Sequence, residues 1–250
     1  MATFNSAELE RARAKSLQTE AFARIAVGFA VDTSYSMNGV KINALNKGLV
    51  EFGKALYNDP FARNRAEICV VSFDTDVKDI IDFGPLRAQV SVIPKDGFGL
   101  TVGGTTALGK GVARVLDKIE KRTNEYKTHV QYYQPWLVIM TDGTPVDDDD
   151  ALRAKVKKEI RQLVNTDHLI VIPIAIGKDA DIEELESFSP KAPVVRINKV
   201  KDFATFFDWL GGSVAVTSSQ AVSDDTTISR VNEDLKGIVE SFGVNLRGEL

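Results

Sequence analysis

Asp32, Ser34 and Ser36 place a carboxylate and two hydroxyls at alternate positions directly after an apolar run. That run, Arg24 to Val31, is typical of a buried strand, so the polar residues fall on the loop where the strand ends. Oxygen atoms grouped in this way suit magnesium and similar hard cations, which take oxygen ligands in near-octahedral geometry. Because hydroxyl ligands carry no charge, a cation held mainly by them stays electron-poor and seeks an anionic oxygen from outside. The segment therefore predicts metal-dependent adhesion to a partner rather than catalysis.

A cation needs ligands from more than one loop, and two further segments stand at equivalent places in the sequence. Gly103-Gly104-Thr105-Thr106 ends a loop before a predicted helix, and Thr141-Asp142-Gly143 follows the apolar run Trp136 to Met140. In an open parallel sheet, ligand sites gather beyond the carboxyl ends of the strands. Four side chains are therefore expected to meet at one edge of the sheet: Ser34, Ser36, Thr106 and Asp142.

Two other interpretations stay open at this point. An isolated Asp-x-Ser-x-Ser segment is usually an ordinary turn whose side chains cap a helix, which would make this a metal-free structural protein. Asp74 and Asp76 also follow an apolar run, as the paired aspartates of haloacid-dehalogenase-type phosphatases do, where the first attacks phosphorus and the second acts as general acid. In this chain the pair follows the second predicted strand and leads straight into another apolar run, which favours a hairpin turn.

Strand-like apolar runs alternate with helix-like runs along the chain, a pattern typical of a parallel sheet covered by helices. The predicted fold is α/β: doubly wound and Rossmann-like, with a mainly parallel central sheet and helices on both faces. Asp74-Thr75-Asp76 predicts a tight turn between the runs Ile68 to Phe73 and Val77 to Phe83, which makes one edge strand antiparallel. The other predicted strands are Ile25 to Val31, Trp136 to Met140, Leu169 to Ile176 and Val194 to Ile197.

Extensions flank the predicted domain on both sides. Residues 1–22 predict an N-terminal helical extension, residues 23–216 the α/β domain, and residues 217–250 a polar linker followed by an amphipathic helix. The C-terminal helix carries an apolar stripe at helical spacing, formed by Ile228, Val231, Leu235, Ile238, Val239 and Phe242. The stripe suits either packing on the domain's own surface or docking of a partner, including self-association.

The composition is that of an ordinary globular protein, with 250 residues, 44% of them hydrophobic and 26% charged. A net charge of −4 argues against a nucleic-acid partner, because nucleic acid usually selects a basic face. No apolar run approaches the roughly 18 residues of a membrane helix, and the N-terminal segment lacks the apolar core of a secretory signal. Cys69 is the single cysteine, so an internal disulfide is impossible and the cytoplasm is the expected compartment.

The residues of the predicted cation site resemble the metal-ion-dependent adhesion site of von Willebrand factor type A domains. The resemblance extends over about Arg24 to Ser213 and consists of Asp-x-Ser-x-Ser, a threonine after Gly-Gly, and Thr-Asp-Gly after an apolar strand. Within that family the chain is most similar to bacterial tellurium-resistance TerY-like proteins, in the segments Val31 to Met37, Lys41 to Asn46, Ile139 to Pro145 and Phe206 to Leu210.

The resemblance implies direct metal ligation by the hydroxyls of Ser34, Ser36 and Thr106, with Thr105 as the alternative threonine. It implies that two carboxylates act through bound water or hydrogen bonds that hold the hydroxyls in place: Asp32 and Asp142. The implied metal is Mg²⁺, with Mn²⁺ or Ca²⁺ as alternatives, and the implied partner is a protein that offers an Asp or Glu carboxylate. By analogy with TerY-like proteins we expect a non-enzymatic intracellular scaffold or regulator in a bacterial stress response.

Overall fold

A six-stranded sheet lies at the centre of the structure, a computed structural model that describes residues 7–19, 22–93, 97–146, 149–222, 231 and 233–238. The strands are β1 (Ile25–Asp32), β2 (Ala66–Phe73), β3 (Val77–Ile81), β4 (Trp136–Thr141), β5 (Ile170–Ile176) and β6 (Val195–Ile197). They lie side by side in the order β3-β2-β1-β4-β5-β6. Neighbouring strands are parallel except β2 and β3, which form an antiparallel hairpin. The predicted sheet, mainly parallel with one antiparallel edge strand, is confirmed.

Helices cover the sheet and connect its strands. Their bounds are α1 (Ala7–Thr19), α2 (Val40–Asn58), α3 (Ala62–Arg65), α4 (Leu86–Val92), α5 (Leu108–Lys127), α6 (Asp150–Asn165), α7 (Ile182–Phe188) and α8 (Val200–Ser219). A short 3-10 turn, Tyr35–Met37, follows β1. None of these helices is both long enough and apolar enough to span a membrane, as judged over the described residues.

Two apolar cores lie on opposite faces of the sheet. One joins the sheet to α2 and α8, where the rings of Phe52 and Phe207 lie near Phe29 of β1. The other joins the sheet to α5, α6 and α7, through residues such as Val115 and Ile160. Successive side chains of a strand point to opposite faces, so a strand between two cores is buried on both sides. All 8 residues of β1 are buried, which explains why its sequence reads as an unbroken apolar run.

A buried ion pair links α5 to β2 on the face that α5 covers. Arg122 donates to both carboxylate oxygens of Glu67 at 2.7 Å, and neither side chain is exposed. The same guanidinium contacts Glu125 and lies 4.9 Å from the ring centroid of Tyr126. Charges that leave water need partners of this kind, because an unpaired buried charge destabilises a fold by several kcal/mol.

Several short elements differ from the sequence predictions. β3 ends at Ile81 rather than at Phe83, and the chain then turns into α4. Neither α3, with 4 residues, nor α4, with 7 residues, was predicted, and α3 is only about one helical turn long. α8 continues to Ser219, beyond the predicted domain end at residue 216. Thr217 is fully buried and donates to the carbonyl oxygen of Ser213 at 2.8 Å, so its polar group is satisfied inside the helix.

The N-terminal helix α1 packs against the domain. Leu9 and Leu17 are buried, and Arg13 pairs with Glu125 at 2.7 Å and with Asp82 at 3.3 Å. The helix therefore contributes to the cores and is anchored by charge as well.

The C-terminal stripe contributes to the core on the α2 and α8 side. Its described members are buried there: Val231, Leu235 and Ile238. This packing on the domain's own core is one of the two uses expected for the stripe. The other members lie outside the described residues: Ile228, Val239 and Phe242.

Candidate metal centre

The candidate centre lies where two neighbouring strands end. Asp32 is the last residue of β1 and Thr141 the last residue of β4, and the two strands are adjacent and parallel. Their carboxyl ends therefore reach the same edge of the sheet, and the chain turns away from the sheet at both places. The amide of Thr33 still donates to Phe73 on β2 at 2.8 Å, after which the backbone enters the 3-10 turn that carries Ser36.

Hydrogen bonds join the residues after β1 to the residue after β4. The amide of Ser34 donates to Asp32 Oδ1 at 2.7 Å. The hydroxyl oxygens of Ser34 and Ser36 lie 3.0 Å apart, and the Ser36 hydroxyl donates to Asp142 Oδ1 at 2.5 Å. Asp32, Ser34 and Ser36 thus form one hydrogen-bonded cup with Asp142, which lies more than a hundred positions later in the chain.

The Asp32 carboxylate is held on both of its oxygens by groups of this chain. Its second oxygen, Oδ2, accepts from the Thr141 hydroxyl at 2.5 Å, and the side chain is fully buried. Burial penalises the charged form and raises the pKa of Asp32 to about 6, and the nearby Asp142 carboxylate adds to the increase. Hydrogen bonds from Ser34 and Thr141 oppose this shift without cancelling it. A cation in the cup would favour the ionised carboxylate.

The glycine-rich loop before α5 brings Thr106 to the cup and turns Thr105 away. Gly104 has a φ of 66°, and a Cβ at this position would lie 2.4 Å from Thr75 Oγ1, so only glycine fits. The Thr105 hydroxyl lies 3.2 Å from that same Thr75 oxygen. Thr106 is buried, and a Cβ built on Gly143 would stand 3.1 Å from Thr106 Oγ1 and 3.8 Å from Ser36 Oγ. Thr106 rather than Thr105 therefore shares the pocket with the serines.

The donor chemistry of the cup fits a hard divalent cation. Its inner oxygens are the hydroxyls of Ser34, Ser36 and Thr106, from two separate loops. Because Gly143 has no side chain, the space between Thr106 and Ser36 stays open. In the part of the chain that the structure describes, no group of three or more His, Cys, Asp or Glu side chains is arranged to hold a metal ion. A site at this edge would therefore depend on hydroxyl and carboxylate oxygens, which suit Mg²⁺ or Mn²⁺ better than softer metals.

Lys41 is a member of the centre that the sequence analysis missed. Its ammonium donates to Asp142 Oδ2 at 2.5 Å and to the carbonyl oxygen of Ser36 at 3.3 Å. Lys41 lies in the first turn of α2, and helical side chains lean toward the N-terminus of their helix. The sequence signal that could have identified Lys41 is its place at the start of a predicted helix, five residues after Ser36.

Exposed apolar side chains surround the centre. Tyr35 is 70% exposed, Val40 67% and Val146 70%. Tyr35 stands between the two serines of the cup, Val40 begins α2, and the amide of Val146 donates to the carbonyl oxygen of Thr106 at 3.4 Å. These side chains are available for contact with a partner that approaches the centre.

Other acidic residues near the carboxyl ends of the strands have structural roles. Asp149 caps α6 by accepting from the amides of Ala151 and Leu152, at 2.9 and 3.1 Å. Asp147 and Asp148 lie outside the described residues. Asp74 accepts from the Asp76 amide at 2.9 Å and from Lys78 at 3.1 Å, inside the turn between β2 and β3. The predicted hairpin turn is thus confirmed, and both Asp74 oxygens are engaged within it.

Replacing Asp32 with asparagine should change how the stability of the metal-free protein depends on pH. The pKa is 3.8 in the reference state and about 6 in the fold, so wild type loses stability as pH rises through this window. The loss amounts to about 3 kcal/mol. Asparagine cannot ionise, so the free energy of unfolding of Asp32→Asn should not fall in this way. Relative to wild type, it should rise by about 3 kcal/mol between about pH 3.5 and 7. Urea unfolding with a chelator at several pH values measures the difference, and parallel curves for the two proteins would contradict it.

Fold and site together define a class of protein: a doubly wound α/β domain with a cup of hydroxyls and carboxylates at the carboxyl edge of its sheet. The chain belongs to the von Willebrand factor type A domain family, whose model matches residues 26–209. Comparison with curated protein sequences finds no match.

Solved structures show the same fold at low sequence identity. A von Willebrand factor type A protein from Catenulispora acidiphila is 17% identical, with a TM-score of 0.59 over 78% of this chain and 43% of that one. The pilus adhesin SpaC from Lactobacillus rhamnosus GG, in an open conformation, is 12% identical, with a TM-score of 0.62 over 80% of this chain and 31% of that one.

A third structure is the proximal thread matrix protein 1 of the mussel byssus, solved with zinc in its MIDAS motif (MIDAS, metal-ion-dependent adhesion site). It is 20% identical, with a TM-score of 0.51 over 79% of this chain and 49% of that one. The present chain spans less than half the length of each of these three proteins. At such identities the comparisons establish the fold.

Proposed function

We propose that this protein is a cation-dependent protein-binding module. A divalent cation, Mg²⁺ or in its place Mn²⁺ or Ca²⁺, binds the hydroxyls of Ser34, Ser36 and Thr106, and a partner's Asp or Glu carboxylate completes its coordination. One observation carries the proposal: hydroxyls from two loops meet at a pocket whose carboxylates are already held by groups of the chain itself. The zinc-occupied motif of the structurally similar byssus protein supports it.

Charge explains why such a centre would attract a partner's carboxylate. Each Asp32 and Asp142 oxygen accepts from a backbone amide, a hydroxyl or Lys41, so these carboxylates serve chiefly to orient the cup. Neutral hydroxyls do not neutralise a divalent ion, which leaves an electron-poor position facing outward. An external carboxylate is the ligand that best fills such a position.

We further propose an intracellular setting, as a scaffold or regulator in a bacterial stress response of the TerY-like kind. This step rests on the local sequence resemblance and on the use of one cysteine, Cys69, which is buried. The partner is expected to be a different protein. Val231 and Leu235 are fully buried in the chain's own core, so that part of the stripe is not offered to a second copy.

Titration calorimetry with Mg²⁺ and Mn²⁺ tests the cation site directly. Capture from an extract of the source cells, with Mg²⁺ or with chelator, then tests whether a partner depends on the cation. Binding that is lost both with chelator and in Asp142→Ala supports the proposal. Absence of heat with either metal, for protein shown to be folded, would refute it, as would a partner that Asp142→Ala still binds with chelator present.

The exposed residues around the centre should contribute to partner binding without affecting the cation. We expect Tyr35→Ser and Val146→Ser each to weaken partner binding by at least about tenfold, since burying one such side chain stabilises a complex by about 1.5–3 kcal/mol. Cation affinity should stay within about twofold, because neither side chain is a ligand. Pull-down against the captured partner, beside cation calorimetry, measures both quantities.

Tyr57→Ser is the matched control for Tyr35→Ser. Tyr57 is 39% exposed and lies near the C-terminal end of α2, whereas the cup lies at the N-terminal end. At 1.5 Å per residue the two ends are about 25 Å apart. An equal loss of partner binding in Tyr57→Ser would contradict a footprint centred on the cup.

A further inference from the structure

Lys41 adds a fixed positive charge to the candidate centre. Its ammonium touches a fully buried carboxylate, that of Asp142, while its own side chain remains 32% exposed. A Cβ built on Gly177, just after β5, would lie 3.5 Å from Lys41 Nζ, so the ammonium also reaches the end of a third strand. A cationic group thus lies at the mouth of a site that is meant to receive a cation.

The formal charges of the centre can be summed. Asp32 and Asp142 contribute two negative charges and Lys41 one positive charge, which leaves one negative charge before any metal binds. A divalent cation turns this into one net positive charge. With a neutral side chain at position 41, the loaded centre would carry no net charge. The N-terminus of α2 adds partial positive charge on the same side.

Within the part of the chain that the structure describes, the ammonium also has one donor left for an incoming ligand. A lysine ammonium offers three N–H donors. Asp142 and the carbonyl oxygen of Ser36 accept two of them. A carboxylate has two oxygens, so one can complete the coordination of the cation while the other accepts from Lys41.

We propose that Lys41 is a specificity-determining residue that weakens binding of the cation and strengthens capture of a carboxylate by the loaded centre. The inference rests on the proposed function and adds the residue that selects the anion. It differs from a simple positioning role, in which Lys41 only holds Asp142 in place. Loss of a positioning residue would weaken cation binding, whereas loss of a repelling charge strengthens it.

The experiment compares four full-length proteins: wild type, Lys41→Gln, Lys41→Arg and Lys47→Gln. Lys47 is exposed on the same helix and provides an identical change in net charge away from the cup. Free Mn²⁺ is measured by electron paramagnetic resonance during titration. Acetate is then titrated into each Mn²⁺-loaded protein, and displacement of metal-bound water is followed by water-proton relaxation. Circular dichroism establishes that each variant is folded.

Opposite shifts in the two affinities are expected for Lys41→Gln. Its Mn²⁺ affinity should rise by at least about tenfold, and the acetate affinity of the loaded centre should fall by at least about fivefold. Lys41→Arg, which keeps the charge, and Lys47→Gln should both stay close to wild type.

Each contrary result has a separate meaning. Weaker or unchanged Mn²⁺ binding in Lys41→Gln overturns the inference in favour of a positioning or passive role. Unchanged acetate affinity, or no acetate binding by loaded wild type, overturns the part that concerns the anion. Wild type that binds no Mn²⁺ at all refutes the proposed function itself, and Lys41 then has no such role.

Discussion

Thr106→Ala should weaken Mn²⁺ binding by about 100-fold, while Thr105→Ala should change it by less than about twofold. The two threonines are neighbours in sequence and chemically identical, so the comparison isolates position. Thr106 is buried beside Ser36 and Gly143, whereas the Thr105 hydroxyl faces Thr75. Loss of the Thr106 hydroxyl removes one oxygen from a cation that has few direct protein ligands. Loss of the Thr105 hydroxyl removes its contact with Thr75, which lies outside the cup.

Titration calorimetry with Mn²⁺ measures both affinities under the same buffer conditions. Thr106→Ser serves as a rescue variant, because it keeps the hydroxyl and removes only a methyl group. It should recover most of the affinity. If Thr105→Ala were the variant that lost the cation, or if all three variants bound like wild type, Thr106 would not be a ligand. If all three variants bound like wild type, the cup would bind the cation without a hydroxyl ligand from the glycine-rich loop.

Arg122→Ala should lower the free energy of unfolding by about 3–5 kcal/mol. The change leaves Glu67 fully buried and without the guanidinium that now holds both of its oxygens at 2.7 Å. It also removes the contact of the guanidinium with the Tyr126 ring. Both side chains are fully enclosed, so the cost of a buried group without its partner falls on the folded state.

Arg114→Ala is the matched control for Arg122→Ala. Arg114 lies on the same helix and pairs with Asp79 at 2.6 Å, but its side chain is 42% exposed. Exposed pairs contribute about 0–1 kcal/mol, so this variant should be close to wild type. Urea unfolding in the presence of chelator measures both. Replacing both buried partners, as Arg122→Met with Glu67→Met, should restore much of the lost stability, and equal losses for the two arginines would contradict the argument.

The alternation of strand-like and helix-like runs along the chain was sufficient to predict the sheet and the edge of it where the candidate site lies. β1 and β4 lie between two cores, so they need apolar residues throughout, and their sequences show it. The turn at Asp74 to Asp76 is a local signal, and so is the group of oxygen-bearing residues after β1. Parallel strands bring their carboxyl ends to one edge, so the meeting of Ser36 with Asp142 follows from the strand pattern. Their role as metal ligands remains a prediction.

Contacts between distant segments decided what the sequence could not. The sequence indicates Thr106 and keeps Thr105 as the alternative, and the contact of the Thr105 hydroxyl with Thr75 decides that Thr106 is the one that faces the cup. Lys41 reads as an ordinary helix residue until the fold brings Asp142, a hundred residues later, to its ammonium.

The buried pair of Arg122 and Glu67 and the buried end of α8 also depend on the tertiary structure. Sequence patterns report which residues leave water, because burial follows the period of a helix or strand. They do not report which polar groups meet after burial, because hydrogen bonds and ion pairs act over a few ångströms between segments that only the fold brings together.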